Sequence, residues 1–80
     1  MSDMPRTSLP FSQAFGERLK QARLDRHLSQ SALAQQLGIG RSTLVEYESG
    51  ATVPSLAVAI RLAESLNVSL DWLCGLSPRH

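Results

Sequence analysis

Apolar residues recur along the chain with the spacing of amphipathic helices. Phe15, Leu19 and Ala22 fall at i, i+4 and i+7, which predicts a first helix over about residues 12–26. Later segments repeat this spacing over shorter lengths, and no segment alternates apolar and polar residues for long. The pattern therefore predicts an all-α fold, a compact bundle of five short helices.

Capping residues predict the bounds of the second and third helices. Ser29 is a favourable N-cap for a helix over residues 31–37, and Gly38 suits the left-handed position that follows a helix. A third helix is predicted over residues 41–49, because a glycine stands directly before it and another directly after it.

The last two helices are also predicted from the residues at their starts. Pro54 fits the start of a helix over residues 55–66, because the N–H that proline lacks has no helical partner there. Ser69 is the predicted N-cap of a last short helix, with Leu70 and Leu73 facing inward. The apolar positions predict that the fourth helix buries one side formed by Leu56, Ala59, Ile60, Ala63 and Leu66.

The second and third helices form a recognisable pair. Each is only about two turns long, so neither would be stable alone. Residues 37–40 join them in a tight turn with Gly38 at the bend. This arrangement is the helix-turn-helix pattern, in which the second helix of the pair enters the DNA major groove.

One face of the third helix is polar or short-chained, whereas Leu44 on the other side belongs to the core. Its first residue, an arginine, lies at the end that normally contacts bases, and arginine commonly pairs with guanine. The valine on this face suits a thymine methyl group, and the first glutamate suits cytosine N4 as an acceptor. The predicted base contacts are Arg41, Ser42, Val45 and Glu46.

Ser29 and Gln30 are predicted to contact a phosphate. Gln30 follows the N-cap, so its backbone N–H lies in the first turn of the second helix, where free N–H groups favour an anion. The side-chain amide adds a neutral donor. A phosphate contact of this kind sets the register of the protein on DNA and does not read its sequence.

Composition adjusts this picture without reversing it. The formal net charge of the 80 residues is +1, and the acids Glu46 and Glu48 give residues 29–50 a negative sum. Weak non-specific DNA affinity and a need for two copies are therefore expected. With the single cysteine Cys74 and two histidines, no internal disulfide and no Cys/His metal cluster is expected. The 80 residues leave no room for a ligand-sensing domain, so no cofactor or small-molecule ligand is expected either. The lack of a secretory h-region and of a long apolar run favours a cytoplasmic protein.

Several segments follow one another along the chain in a family-specific order: residues 28–39, Tyr47-Glu48-Ser49-Gly50, Pro54-Ser55-Leu56 and residues 66–73. Together they resemble the phage repressor/Cro-type (XRE-like) helix-turn-helix DNA-binding family, the lambda repressor-like domains. The resemblance covers roughly residues 12–76.

The resemblance implies a transcriptional regulator, a repressor, that binds double-stranded DNA as a homodimer on a near-palindromic operator. It implies base reading by the three positions Arg41, Ser42 and Glu46, and an ion pair between Arg23 and Glu48. The phosphate contacts then expected are Ser29, Gln30, Thr43 and Arg23.

Other interpretations stay open. The chain also suits an antitoxin that binds a toxin protein and represses its own operon, or a protein-interaction module that has lost DNA binding. An enzyme is not expected, because no catalytic pair or phosphate loop is present.

Residues 1–10 are interpreted as a flexible arm, 11–76 as the DNA-binding domain and 77–80 as a tail. Trp72, Cys74 and Leu76 are candidates for a dimer contact, and core packing is the equal alternative for Trp72.

Overall fold

The computed structural model describes residues 10–78, and all regular structure in that range is helical. The five predicted helices are confirmed, each within about two residues of its expected bounds. They are α1 (Phe11–Asp25), α2 (Gln30–Leu37), α3 (Arg41–Ser49), α4 (Leu56–Leu66) and α5 (Leu70–Leu73). No helix in this range is long and apolar enough to cross a membrane.

Serine side chains cap three of the helices at their N-termini. Ser29 accepts the N–H of Ala32 at α2, and equivalent bonds form at α4 and α5. The cap of α4 is Ser55, so Pro54 lies one residue before the cap instead of in the first turn. The start of α3 differs, because its N-cap is Gly40 and no side chain accepts a first-turn N–H there.

All five helices contribute to one buried core. The fully buried large side chains are Phe15, Leu19, Leu33, Leu44, Leu62, Leu66 and Leu73. The prediction for α4 was wrong in part. Leu56 and Ile60 are 67% and 40% exposed, while Leu62, which the prediction omitted, is fully buried. Most positions of α4 are apolar, so spacing alone left more than one side of this helix eligible for the core.

A glycine brings α1 unusually close to the end of α3. A Cβ atom added at Gly16 would lie 2.5 Å from the backbone oxygen of Glu48 and 2.6 Å from that of Tyr47. Any larger residue there would therefore force the two helices apart. α3 packs on α1 and α2, whereas α5 packs on α1 and α4, so α1 is the helix that both of them contact.

Candidate nucleic-acid interface

The turn between α2 and α3 has the geometry that the glycine predicted. Gly38 adopts a left-handed conformation at φ +70°, and the N–H of Ile39 donates to the Ala34 carbonyl at 3.0 Å. This bond satisfies a carbonyl at the end of α2, and the left-handed Gly38 turns the chain sharply. α4 adds a long-range contact, because Arg61 Nη2 donates to the Leu37 carbonyl at 2.7 Å. The end of α2 is thus fixed by its own turn and by another helix.

The outer face of α3 is exposed over its full length. Arg41, Ser42, Val45 and Glu46 are exposed, so the structure places all four predicted base contacts on one accessible surface. Within the described residues, neither Arg41 nor Glu46 forms a side-chain hydrogen bond or ion pair. Leu44 is fully buried on the opposite side of the helix. The buried side of α3 therefore anchors the helix in the core, while its outer face is accessible to another molecule.

A buried ion pair fixes the back of α3 to α1. Arg23 Nε donates to Glu48 Oε2 at 2.7 Å, and Arg23 Nη2 donates to Glu48 Oε1 at 3.1 Å. The two side chains are only 8% and 5% exposed. Two parallel bonds between a guanidinium and a carboxylate fix orientation as well as distance. This is the pair that the family resemblance implied.

Two further groups complete this cluster. Arg23 Nη1 donates to the Leu28 carbonyl at 2.8 Å, and Gln30 Nε2 donates to Glu48 Oε1 at 3.1 Å. The Leu28 carbonyl is presented by a turn in which His27 has a left-handed φ of +57°. We call Arg23, Leu28, Gln30 and Glu48 the buried polar cluster. It joins α1, the α1–α2 turn, α2 and α3 at one point.

Sequence reasoning did not find the contact between Gln30 and Glu48. It predicted a phosphate contact for Gln30, and what the structure shows for this side chain is a hydrogen bond to the carboxylate of Glu48 on α3. The two residues are 18 positions apart, and no local pattern connects them. The available signal was indirect: a glutamine that follows an N-cap, and a glutamate on the core side of a short helix.

The predicted phosphate contacts differ in how accessible they are to another molecule. Ser29 is exposed and Gln30 and Thr43 are half-buried, so each has some accessible surface, whereas Arg23 is only 7% exposed. Ser29 uses its oxygen as an acceptor for the N–H of Ala32, which leaves its O–H as a donor. Arg23 has five N–H donors and its three hydrogen bonds use one each, so two N–H groups remain.

The C-terminal candidates lie apart from this surface. Trp72 is 8% exposed and belongs to the core, while Leu76 is 79% exposed. Cys74 is half-buried against the core edge, and burial raises the pKa of its thiol, with Asp71 adding to the rise and Arg18 opposing it. Of the three, Leu76 has the exposure that a contact with another molecule requires.

This two-helix unit on a five-helix core defines a helix-turn-helix protein. The chain matches the Helix-turn-helix family HTH_3 over residues 19–73 and belongs to that family. It is similar to the cryptic phage CTXphi transcriptional repressor RstR of Vibrio cholerae, with 34% identity over 59 residues, 74% of this chain and 53% of the relative. The chain spans about half the length of the curated relatives it matches.

Solved structures show the same fold. The restriction-modification controller protein C.AhdI from Aeromonas hydrophila matches with a TM-score of 0.72 and 34% identity, over 76% of this chain and 92% of that one. SinR, the master regulator for biofilm formation, in complex with DNA, matches with a TM-score of 0.69 and 32% identity, over 74% of this chain and 95% of that one.

Proposed function

We propose that this chain is a sequence-specific DNA-binding transcriptional regulator, a repressor, that acts as a homodimer on a near-palindromic operator. One observation carries the proposal: the outer face of α3 is exposed and unpaired among the described residues, while its back is held by the buried polar cluster. The names of its relatives, a phage repressor and a regulator bound to DNA, support the class.

Arg41 is assigned to read guanine. It stands at the first position of α3, exposed, with its guanidinium free of partners within residues 10–78. A bidentate bond to guanine O6 and N7 contributes about 1–3 kcal/mol of discrimination. Ser42 and Val45 read the neighbouring bases by a hydroxyl bond and a methyl contact. Glu46 accepts from cytosine N4 and repels phosphates at wrongly positioned sites.

The phosphate contacts set the register of α3 in the groove. Gln30 donates one amide hydrogen to Glu48 and keeps the other for a phosphate oxygen. The O–H of Ser29, the hydroxyl of Thr43 and the two remaining N–H groups of Arg23 are the other proposed phosphate donors. Because the buried polar cluster links Gln30 and Arg23 to α3, a phosphate bound by these two residues fixes where α3 lies.

Two copies are needed for a useful affinity. A chain with a net charge of +1 neutralises few phosphates, and each α3 presents only a short reading surface. Two copies related by a two-fold axis place their third helices about 34 Å apart, in successive major grooves. The operator would then be nearly palindromic, because its symmetry matches that of the dimer.

The proposal is tested by selecting bound DNA from random duplexes with the full chain and with three variants. Arg41→Ala is expected to lose the preference for one base at symmetric positions, by about 1–3 kcal/mol. Arg41→Lys keeps the charge and so keeps the salt dependence, but it also loses the preference, since lysine lacks the planar fork of donors. Glu46→Gln is expected to weaken the preference for cytosine and to raise non-specific affinity.

Arg26→Ala is the matched control. Arg26 is an exposed arginine directly after the C-terminal end of α1. Among the described residues, its side chain forms one hydrogen bond, to the Leu66 carbonyl at 3.4 Å. Its removal takes away the same charge and is expected to leave the selected motif unchanged. If the wild-type chain enriches no motif, the proposed function is wrong. If it enriches one that Arg41→Ala leaves unaltered, only the role of Arg41 is wrong.

A further inference from the structure

Two side chains of α4 hold the C-terminal end of α2. Arg61 Nη2 donates to the carbonyl oxygen of Leu37, the last residue of α2, at 2.7 Å. Ser65, one turn further along α4, donates its Oγ–H to Gln36 Oε1 at 2.8 Å. We call Arg61 and Ser65 the α4 clamp. It joins the two helices at the point where the chain leaves α2 for α3.

The segment that follows this point has little of its own to fix its direction. Residues 38–40 contain two glycines, and glycine has more accessible backbone conformations than any other residue. No basic residue of α2 lies in its last turn, and among the described residues no side chain caps the start of α3. The N–H groups of the turn donate to carbonyls within α2, whereas the Leu37 carbonyl accepts from Arg61. The direction in which the chain enters α3 therefore depends on a contact from another helix.

Arg26 gives a comparison within the same chain, because it also donates to the last carbonyl of a helix. Its Nη1 lies 3.4 Å from the oxygen of Leu66 at the end of α4. That distance exceeds the range of about 2.7–3.2 Å that is usual for an N–H···O bond, whereas the 2.7 Å bond of Arg61 is typical of a charge-assisted one. The helix that follows Leu66 is α5. The short arginine bond is therefore the one at the entrance to the exposed helix α3.

We propose that Arg61 is a positioning residue for DNA reading: it holds the Leu37 carbonyl and thereby fixes where Arg41 stands at the start of α3. The buried polar cluster anchors the same helix near its other end, through Glu48. With both ends fixed, α3 presents its outer face in one orientation, whereas without Arg61 its start moves with the glycine turn. Recognition requires side chains held to within about 0.5 Å of their binding geometry. This role rests on the proposed function, since it requires that α3 reads DNA.

The ratio of affinities for the selected duplex and for a duplex of shuffled sequence measures this role. Arg61→Met keeps an unbranched side chain and removes its donors, so the ratio is expected to fall about tenfold, the contribution of one charge-assisted hydrogen bond. Arg61→Lys keeps a charged donor and is expected to restore most of the ratio. Arg26→Met is the matched control, since it removes an equal charge and a carbonyl contact, and it is expected to leave the ratio unchanged.

Two more measurements distinguish positioning from a direct phosphate contact by Arg61. In an Arg41→Ala background, Arg61→Met is expected to lower the ratio little further, because its effect passes through Arg41. The slope of log affinity against log salt concentration is expected to stay the same. Additive effects of the two variants, together with a slope shallower by about 1, would mean that Arg61 binds a phosphate, and that result overturns the proposal.

The effect on the turn is measured without DNA, by amide hydrogen exchange. The N–H of Ile39, bonded to the Ala34 carbonyl, is expected to exchange about tenfold faster in Arg61→Met, while amides in the middle of α1 exchange as in wild type. Ser65→Ala removes the second bond of the α4 clamp without changing a charge, and the same amide is then expected to exchange about threefold faster. Ser65→Ala decides the question if Arg61→Met does not fold.

Each outcome supports or overturns the role of Arg61. Unchanged exchange at Ile39 in both variants, or an unchanged affinity ratio in Arg61→Met, overturns it. An equal fall of the ratio in Arg26→Met also overturns it, since the loss would then reflect charge alone. If Arg61→Met speeds exchange at Ile39 but the wild-type chain selects no DNA motif, the action of the α4 clamp on the turn is supported and only the proposed function is overturned.

Discussion

Two glutamates on α3 show how differently one helix uses the same side chain. Glu46 is exposed and has no partner among the described residues. Glu48, two positions later, has a side chain only 5% exposed that accepts three hydrogen bonds from Arg23 and Gln30. Two positions on a helix correspond to a rotation of about 200°, so the residues point in nearly opposite directions.

The contrast between these two glutamates distinguishes the residues that hold α3 in the fold from those that α3 exposes for binding. A buried carboxylate must be paired, because an unpaired charge in a low-dielectric interior is strongly unfavourable. An exposed carboxylate keeps its hydration and is free to meet a ligand. Substitutions on the back of α3 are therefore expected to act on folding, and those on its front are expected to act on DNA.

The largest expected effect comes from Glu48→Ala. It leaves the Arg23 guanidinium buried beside a cavity, with only the Leu28 carbonyl as a partner, and removes the acceptor of Gln30. Breaking a buried pair by removing one member costs about 3–5 kcal/mol, so the free energy of unfolding should fall by that amount. Urea denaturation followed by circular dichroism measures it.

Two other variants serve as controls for Glu48→Ala. Glu46→Ala, the same change on the exposed side, should alter the free energy of unfolding by no more than about 0.5 kcal/mol. Replacing both partners, Arg23→Met with Glu48→Leu, should recover much of the lost stability, since no unpaired charge remains. Equal losses for the two single glutamate variants would show that the contrast between the faces is wrong.

Gly16→Ala tests the close approach of α1 to the back of α3. Helix propensity alone favours alanine over glycine by about 1 kcal/mol. The new methyl group would lie 2.5 Å from the Glu48 carbonyl oxygen, so the helices must separate, and we expect a net loss of about 1–3 kcal/mol. Thermal unfolding measures the sign directly. Glu17→Ala, at an exposed neighbouring position, should change little, and a stabilised Gly16→Ala variant would refute the close contact.

The smallest effect is expected at the exposed start of α3. Gly40 has φ −73° and ψ 149°, which any residue adopts, and an added Cβ meets nothing nearer than 3.8 Å. Gly40→Ser should supply the missing cap and reduce unfolded-state freedom, raising stability by about 0.5–1 kcal/mol. Differential scanning calorimetry measures the rise. Ser55→Gly, which removes the α4 cap, should lower stability by a few tenths of a kcal/mol. A destabilised Gly40→Ser variant would contradict the cap argument.

Local signals in the sequence predicted the helices and most of their ends. The serines at positions 29 and 69 and the glycines at 38 and 50 act through bonds within a few residues, so their effects are readable without a tertiary structure. α4 shows where this reasoning stops. Its many apolar positions allowed several buried faces, and packing against α1, α2 and α5 selected the side of Leu62.

The sequence by itself determined the helix-turn-helix unit and the exposed face of α3, because both depend on 3.6-residue periodicity and on turn residues. The tertiary structure alone placed Gln30 beside Glu48, buried Trp72 and left Leu76 exposed. Those arrangements join segments 18 or more residues apart or depend on how α5 closes over α1. Such contacts form only when the helices pack, since no local rule connects residues that meet across the core.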